Sequence, residues 1–246
     1  MRQLILAFIV IAAPVVALGA EGHVHLESAP VNLQDPLGLQ RGAKYFVNYC
    51  LSCHSASYMR YNRMASDLGL SEAQVQDNLM FTGQKVGETM KVAMRPTDAE
   101  RWFGVAPPDL SVIARSRGPD WLYTYLLSFY IDEERPFGVN NLVFKDTAMP
   151  HVLAELQGVQ KAVYRTETDS EGNRHEVVES LELVQPGQLS AEQYKRAVGD
   201  LVSFLSYVGE PAKLERQRLG AWVLLYLLVF LGIAYALKKE YWKDVH

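Results

Sequence analysis

The sequence predicts a mostly α-helical domain with loop and β-hairpin insertions, followed by a single C-terminal membrane-spanning helix. Three observations carry this. Apolar residues recur at helical spacing in two stretches, one around Leu39 to Cys50 and one from Ala197 to Val208. A third stretch, 161–184, instead groups valines and leucines around a run of turn-forming residues. Finally, Leu219 to Leu237 contains no charged residue for 19 positions.

At 246 residues the chain is long enough for one or two domains with a sizeable core. Twenty-four basic and 28 acidic residues leave a formal net charge of −4, which argues against a nucleic-acid partner. Hydrophobic residues make up 49%, too many for a disordered chain and too few for a polytopic membrane protein. Two cysteines cannot build a disulfide scaffold.

Taken in order, residues 1–20 have the layout of a secretory signal peptide. Arg2 supplies the positive end, Leu4 to Ala13 the apolar run, and Ala17-Leu18-Gly19 or Leu18-Gly19-Ala20 the cleavage site. An uncleaved N-terminal span is the rival reading. Leu39, Ala43, Phe46, Val47 and Cys50 share one helical face, with Gly42 beside them where another helix could cross closely. Residues 60–105 read as short helices and polar loops, including a capping box at Ser71 to Gln74. Asp120 to Phe129 reads as an aromatic-rich helix, 131–147 as loop, and 161–184 as a hairpin turning at Asp169 to Asn173. A second capping box, Ser190 to Gln193, opens a helix to about Tyr207 whose stripe of Ala197, Leu201, Phe204, Leu205 and Val208 would meet the first helix.

The final apolar stretch is roughly 28 Å long as a helix, close to the hydrocarbon thickness of a bilayer. Trp222, Tyr226, Tyr235, Tyr241 and Trp242 lie along or beside it as candidate interface anchors. Three basic residues flank each side, so charge alone leaves the orientation open and the export signal decides it. The expected organisation is a signal peptide at 1–20, an exported domain at 21–212, linker and anchor at 213–237, and a cytoplasmic tail at 238–246.

One motif is specific. Cys50-Leu51-Ser52-Cys53-His54 is C-x-x-C-H, the attachment pattern of c-type haem. Its spacing lets two thiols add across the haem vinyl groups and holds the histidine beneath the ring. A redox C-x-x-C would want a strand-to-helix setting, a zinc site further ligands, and a Cys50–Cys53 disulfide a strained loop. Methionine opposite histidine is the usual pair in a high-potential carrier. Met59 and Met64 lie too near His54 in sequence, and Met80 sits in an apolar run. Met90 and Met94 occupy a plausible loop, and Met149 precedes Pro150 on an extended strap. From the residues alone Met149 and Met94 stand level. His151 is a weaker rival, and His23, His25, His175 and His246 read as solvated.

Further strings resemble the cytochrome c1 family. These are Tyr58 to Arg63, Ala106-Pro107-Pro108-Asp109-Leu110-Ser111, Arg115-Ser116-Arg117-Gly118-Pro119-Asp120, Ala148-Met149-Pro150, Val198 to Leu205 and Gly209 to Ala212, in the family's order. The resemblance implies a class I cytochrome c-like haem domain carrying one haem c on two thioethers. It implies one-electron transfer from a Rieske iron–sulfur protein to cytochrome c, as a subunit of the ubiquinol–cytochrome c reductase beside cytochrome b. The chain would be an electron-transfer subunit rather than an enzyme on its own, single-pass in the inner membrane with its haem domain on the periplasmic side. By the same resemblance Cys50 and Cys53 carry the thioethers, and His54 and Met149 are the iron ligands. Arg117 contacts a propionate, Pro107 and Pro108 line the haem edge, and Trp121 stands where the family commonly has tyrosine.

Two alternatives share the haem motif. One is an anchored monohaem subunit of an oxidase or nitric-oxide reductase. The other is a haem enzyme or ligand sensor, which needs an open iron position. Residues 155–182 carry seven acidic and three basic side chains. A solvated polar face is the plain reading; the functional one is an acidic surface steering a basic cytochrome c.

Overall fold

The structure, a computed structural model, describes residues 24–168 and 174–244. The signal segment read at 1–20, His23, the hairpin turn at 169–173 and His246 lie outside these residues.

The first helix, α1 (Pro36–Tyr45), opens on Pro36, whose fixed φ and missing N–H suit the first helical turn. It runs on through a single π turn (Phe46–Cys50), in which the Leu51 amide reaches back five residues to the Phe46 carbonyl at 2.9 Å. The predicted apolar face is retained, with Leu39, Ala43, Phe46, Val47 and Cys50 all buried.

Three short helices follow: α2 (Tyr61–Asp67), α3 (Glu72–Leu79) and α4 (Pro96–Phe103). The box at Ser71 forms as read, with reciprocal bonds between Ser71 and Gln74. Strands β1 (Ala56–Arg60) and β2 (Thr89–Met90) pair across this segment, an element the helical reading did not include. Next come α5 (Ile113–Ser116) and α6 (Pro119–Leu127).

The expected helix from Asp120 to Phe129 therefore stops two residues early. Phe129 instead opens β3 (Phe129–Ile131), which pairs antiparallel with β4 (Val139–Asn141) inside the segment read as loop. Too few apolar alternations lie there for periodicity to register so short a pair. After α7 (Ala154–Gln157) come β5 (Gly158–Thr168) and β6 (Arg174–Pro186), a hairpin longer at both ends than 161–184. Its base is tight: Gly158 has φ +91°, and a Cβ there would sit 2.1 Å from the Gln185 carbonyl oxygen. Glu155 and Glu182, from the acid-rich stretch, already hold partners within the chain, Tyr49 and Lys161.

The long helix α8 (Ala191–Gly209) starts on the predicted capping box at Ser190 and buries Ala197, Leu201, Phe204, Leu205 and Val208. It crosses α1 at Gly42, where an added Cβ would lie 2.1 Å from the Asp200 carbonyl oxygen and 2.7 Å from Phe204 Cβ. That approach lets the Phe46 and Phe204 rings meet at 5.6 Å. Arg41 closes the same crossing, its Nε donating to Asp200 at 2.6 Å.

Pro211 and Ala212 separate α8 from α9 (Lys213–Tyr241), a continuous 29-residue helix. Among the described residues it is the helix long and apolar enough to cross a bilayer, and its apolar window is entirely unburied. A core helix of that composition would be covered by protein, so lipid is the medium its surface fits.

Replacing Gly42 by alanine gains about 1 kcal/mol of helix propensity but forces the helices apart against backbone. The overpacking dominates, and Gly42→Ala is expected to destabilise the domain by about 1–3 kcal/mol. Thermal unfolding of the detergent-solubilised holoprotein checks this. Gly220→Ala, where a Cβ meets nothing within 4 Å, is the control expected to leave the transition in place.

Candidate haem-binding site

The α1–α8 pair forms one wall of a cavity of about 590 Å³. Cys50 leaves the π turn onto this wall, and the C-x-x-C-H segment coils back on itself. The Cys53 and His54 amides both donate to the Cys50 carbonyl, at 3.0 and 2.8 Å. Leu201 and Leu205 of α8 close the space behind.

Beside the C-x-x-C-H segment lies the strap 105–110, pinned to the chain just beyond His54. The Leu110 amide donates to the Ser55 carbonyl at 2.7 Å, and Asp109 accepts from the Ser57 and Ser111 amides at 3.0 and 2.8 Å. Desolvation raises the Asp109 carboxyl, but these donors outweigh it and hold it below its ordinary value. Pinning the strap brings the Pro108 carbonyl within 2.7 Å of His54 Nδ1. A carbonyl only accepts, so Nδ1 carries the proton and Nε2 keeps its lone pair. Burial further lowers the His54 pKa, against the raising effect of the Pro108 bond, and favours the neutral imidazole that binds a metal.

Burial likewise pushes the Cys50 thiol up to about 12. A redox C-x-x-C pair is favoured by a depressed thiol pKa, and burial of Cys50 works in the other direction.

All eight residues singled out in the sequence, Cys50, Cys53, His54, Pro107, Pro108, Arg117, Trp121 and Met149, line this one cavity. Among the described methionines only Met149 does so. Met59, Met64 and Met90 are fully buried in the core, and Met94 lies off the wall. His151 is also absent from the wall. It stacks on Phe129 at 4.8 Å, and burial pushes its imidazole down to about 4, with Gln157 opposing. Arg117 makes no ion pair among the described residues; its guanidinium lies 5.2 Å above the Trp121 ring, which in turn stacks on Tyr125 at 5.0 Å.

The residues that present Met149 were not apparent from sequence. Asn141, in β4, donates to the Tyr125 carbonyl at 2.7 Å and accepts from the Val143 and Phe144 amides at 2.9 and 3.2 Å. Asn140 accepts from the Asp146 amide at 2.8 Å, where the chain turns through φ +63°. Thr147 and Tyr125 then reach Met149 itself. The only sequence signal was the pair of adjacent asparagines in a loop-like segment.

A buried thiol and a half-buried one beside a neutral histidine suit covalent attachment of a porphyrin, and the apolar wall with a single unpaired cation suits a macrocycle bearing carboxylates. With its one-helix tether, the domain falls into the class of membrane-anchored c-type cytochromes. Comparison narrows the class: residues 27–245 match the cytochrome C1 family, and the chain belongs to that family. It is 52% identical to the cytochrome c1 of Allochromatium vinosum over the full length of both chains. It is 50% identical to a protein of Nitrosomonas europaea named ammonia monooxygenase gamma subunit, over 96% of each. A Bradyrhizobium diazoefficiens protein named cytochrome b/c1 matches 89% of this chain, at 27% identity, with 35% of its own length.

The family settles the broad activity. The chain carries one covalent c-type haem and moves single electrons as a subunit of the cytochrome bc1 complex, anchored in the inner membrane by one helix. It is a carrier subunit rather than an enzyme by itself.

Asn141→Leu would leave two amides and a carbonyl without their buried partner. A loss of about 2–4 kcal/mol is expected from these unpaired groups. Faster limited proteolysis within 142–149 than in the native holoprotein is the check.

Proposed function

We propose that Cys50 and Cys53 would carry the thioethers and that His54 and Met149 would be the protein ligands to the iron. Arg117 pairs with a propionate, while Pro107, Pro108 and Trp121 wall the ring. The single observation that carries this reading is the convergence of all eight on one cavity, from segments up to 99 residues apart. When bound, the haem supplies a one-electron iron couple.

The protein's own residues do the rest. The Nδ1–H bond to Pro108 orients the imidazole and raises its basicity toward a metal. The free guanidinium of Arg117 offers a charge-assisted pair to a carboxylate and so lowers the cost of holding that charge in an apolar site. The prolines bring no donor and little freedom to their stretch of wall. Val105 and Phe144 line the cavity while remaining 52% and 45% exposed. The cavity therefore opens on an apolar edge where another redox protein can come close.

The domain faces the periplasm, and electrons arrive there from a Rieske iron–sulfur protein and leave to a cytochrome c, with cytochrome b as the membrane partner. The paired name of the Bradyrhizobium relative supports the last of these. Co-purification with b-type haem in excess over c-type haem, together with an iron–sulfur protein, is the outcome expected from pyridine haemochrome spectra of the gently solubilised complex. A c-type haem accompanied by neither would move the chain to another complex, the one named for the Nitrosomonas relative among them.

Met149→Leu is expected to lower the reduction potential and to admit carbon monoxide to the reduced protein. Redox titration and a carbon monoxide difference spectrum decide it, and an unaltered mutant would transfer the ligand role to another residue.

A further inference from the structure

Tyr125 is among the cavity residues not yet given a role. Its side chain is 8% exposed, and its hydroxyl lies 2.9 Å from Thr147 Oγ1 and 3.4 Å from Met149 Sδ. Thr147 is buried as well, and its hydroxyl oxygen accepts from the Met149 amide at 3.3 Å. These three contacts close a ring that begins and ends on Met149.

The proton positions in that ring follow from matching its donors to its acceptors. Among the described residues Thr147 Oγ1 has two hydrogen-bond partners, the Met149 N–H and the Tyr125 oxygen. The first is a donor, so the Thr147 hydrogen has only the Tyr125 oxygen to go to. That leaves the Tyr125 hydrogen with the sulfur as its acceptor. Every buried hydroxyl hydrogen then has a partner, which the reverse arrangement does not achieve.

We infer that Tyr125, locked by Thr147, is a positioning residue that donates a hydrogen bond to the Met149 thioether and so tunes the redox equilibrium of the haem. A thioether sulfur has two lone pairs, one for a metal and one for the hydroxyl. A donor on the second withdraws electron density from the first, weakens donation to the oxidised metal and favours the reduced state. The same ring holds the backbone amide of Met149, so sulfur and main chain are fixed together. The inference rests on Met149 being the ligand.

The test is redox titration of the holoprotein in its complex, together with the methionine-to-iron charge-transfer absorption. Tyr125→Phe keeps the ring that stacks on Trp121 and removes only the hydroxyl. It is expected to retain low-spin His/Met coordination and to exclude carbon monoxide. Its redox equilibrium should shift roughly threefold to tenfold toward the oxidised state, tenfold being 59 mV for one electron. Thr147→Val should shift it the same way by less, and Thr147→Ser should restore it. If Tyr125→Phe fails to mature, the Thr147 pair carries the comparison alone. An unchanged potential and charge-transfer band in Tyr125→Phe, or in Thr147→Val, would overturn the inference. Met149→Leu separates the two readings: unaltered coordination there defeats the ligand assignment, whereas altered coordination with a silent Tyr125→Phe defeats only the role of Tyr125.

Discussion

The close crossing of α1 and α8 is the contact on which the rest of the domain depends. Only a residue without a side chain fits at Gly42 against the Asp200 carbonyl. With the backbones so near, Phe46 and Phe204 pack ring to ring, and each fully buried large side chain contributes about 1.5–3 kcal/mol. The crossing also fixes where the π turn ends. Cys50 leaves it on the cavity side, while Leu201 and Leu205 of the partner helix form the rear wall. Helix packing and cofactor placement are thus one constraint.

Against that rigid side stand two straps with little secondary structure of their own. Chain of this kind needs its backbone polar groups satisfied from elsewhere. The strap 105–110 is tied to the chain around it, the Leu110 amide donating to the Ser55 carbonyl, Asp109 accepting from the Ser57 and Ser111 amides, and the Pro108 carbonyl accepting from His54. In 142–149 the suppliers are Asn140 and Asn141, buried on a three-residue strand. Both devices use a short polar side chain that accepts from backbone amides, Asp109 from within its strap and the asparagines from a packed strand, to shape a loop that carries a functional group. Precision in the two straps therefore comes from side-chain-to-backbone bonds, and the hydrophobic core supplies only the platform.

The chemistry of the site follows from what burial does to each group. Desolvation keeps His54 neutral and Cys50 protonated, so neither presents a charge to an apolar cavity. The exposed guanidinium of Arg117 stays at the rim, where water carries much of its solvation cost and the Trp121 face stabilises it. Charge is thus kept to the mouth while the walls stay apolar, a distribution suited to a macrocycle with an apolar body and ionised carboxylates.

Much of this was legible in the residues themselves. The C-x-x-C-H motif, both capping boxes, the apolar faces of α1 and α8, the hairpin and the membrane helix all depend on local spacing, which a chain displays before it folds. Local spacing could not separate Met149 from Met94, nor show that β3 and β4 pair, nor reveal Asn141, Thr147 and Tyr125. Each of these depends on which distant segments meet, and a methionine or asparagine looks the same whether it faces a cavity or the core. The sequence by itself determined the haem motif, the helical faces and the tether, because covalent chemistry and periodicity are local. The family resemblance points to Met149, but only the tertiary structure brought its sulfur to the cavity wall and decided which hydroxyl holds it, because those are contacts between segments that only packing brings together.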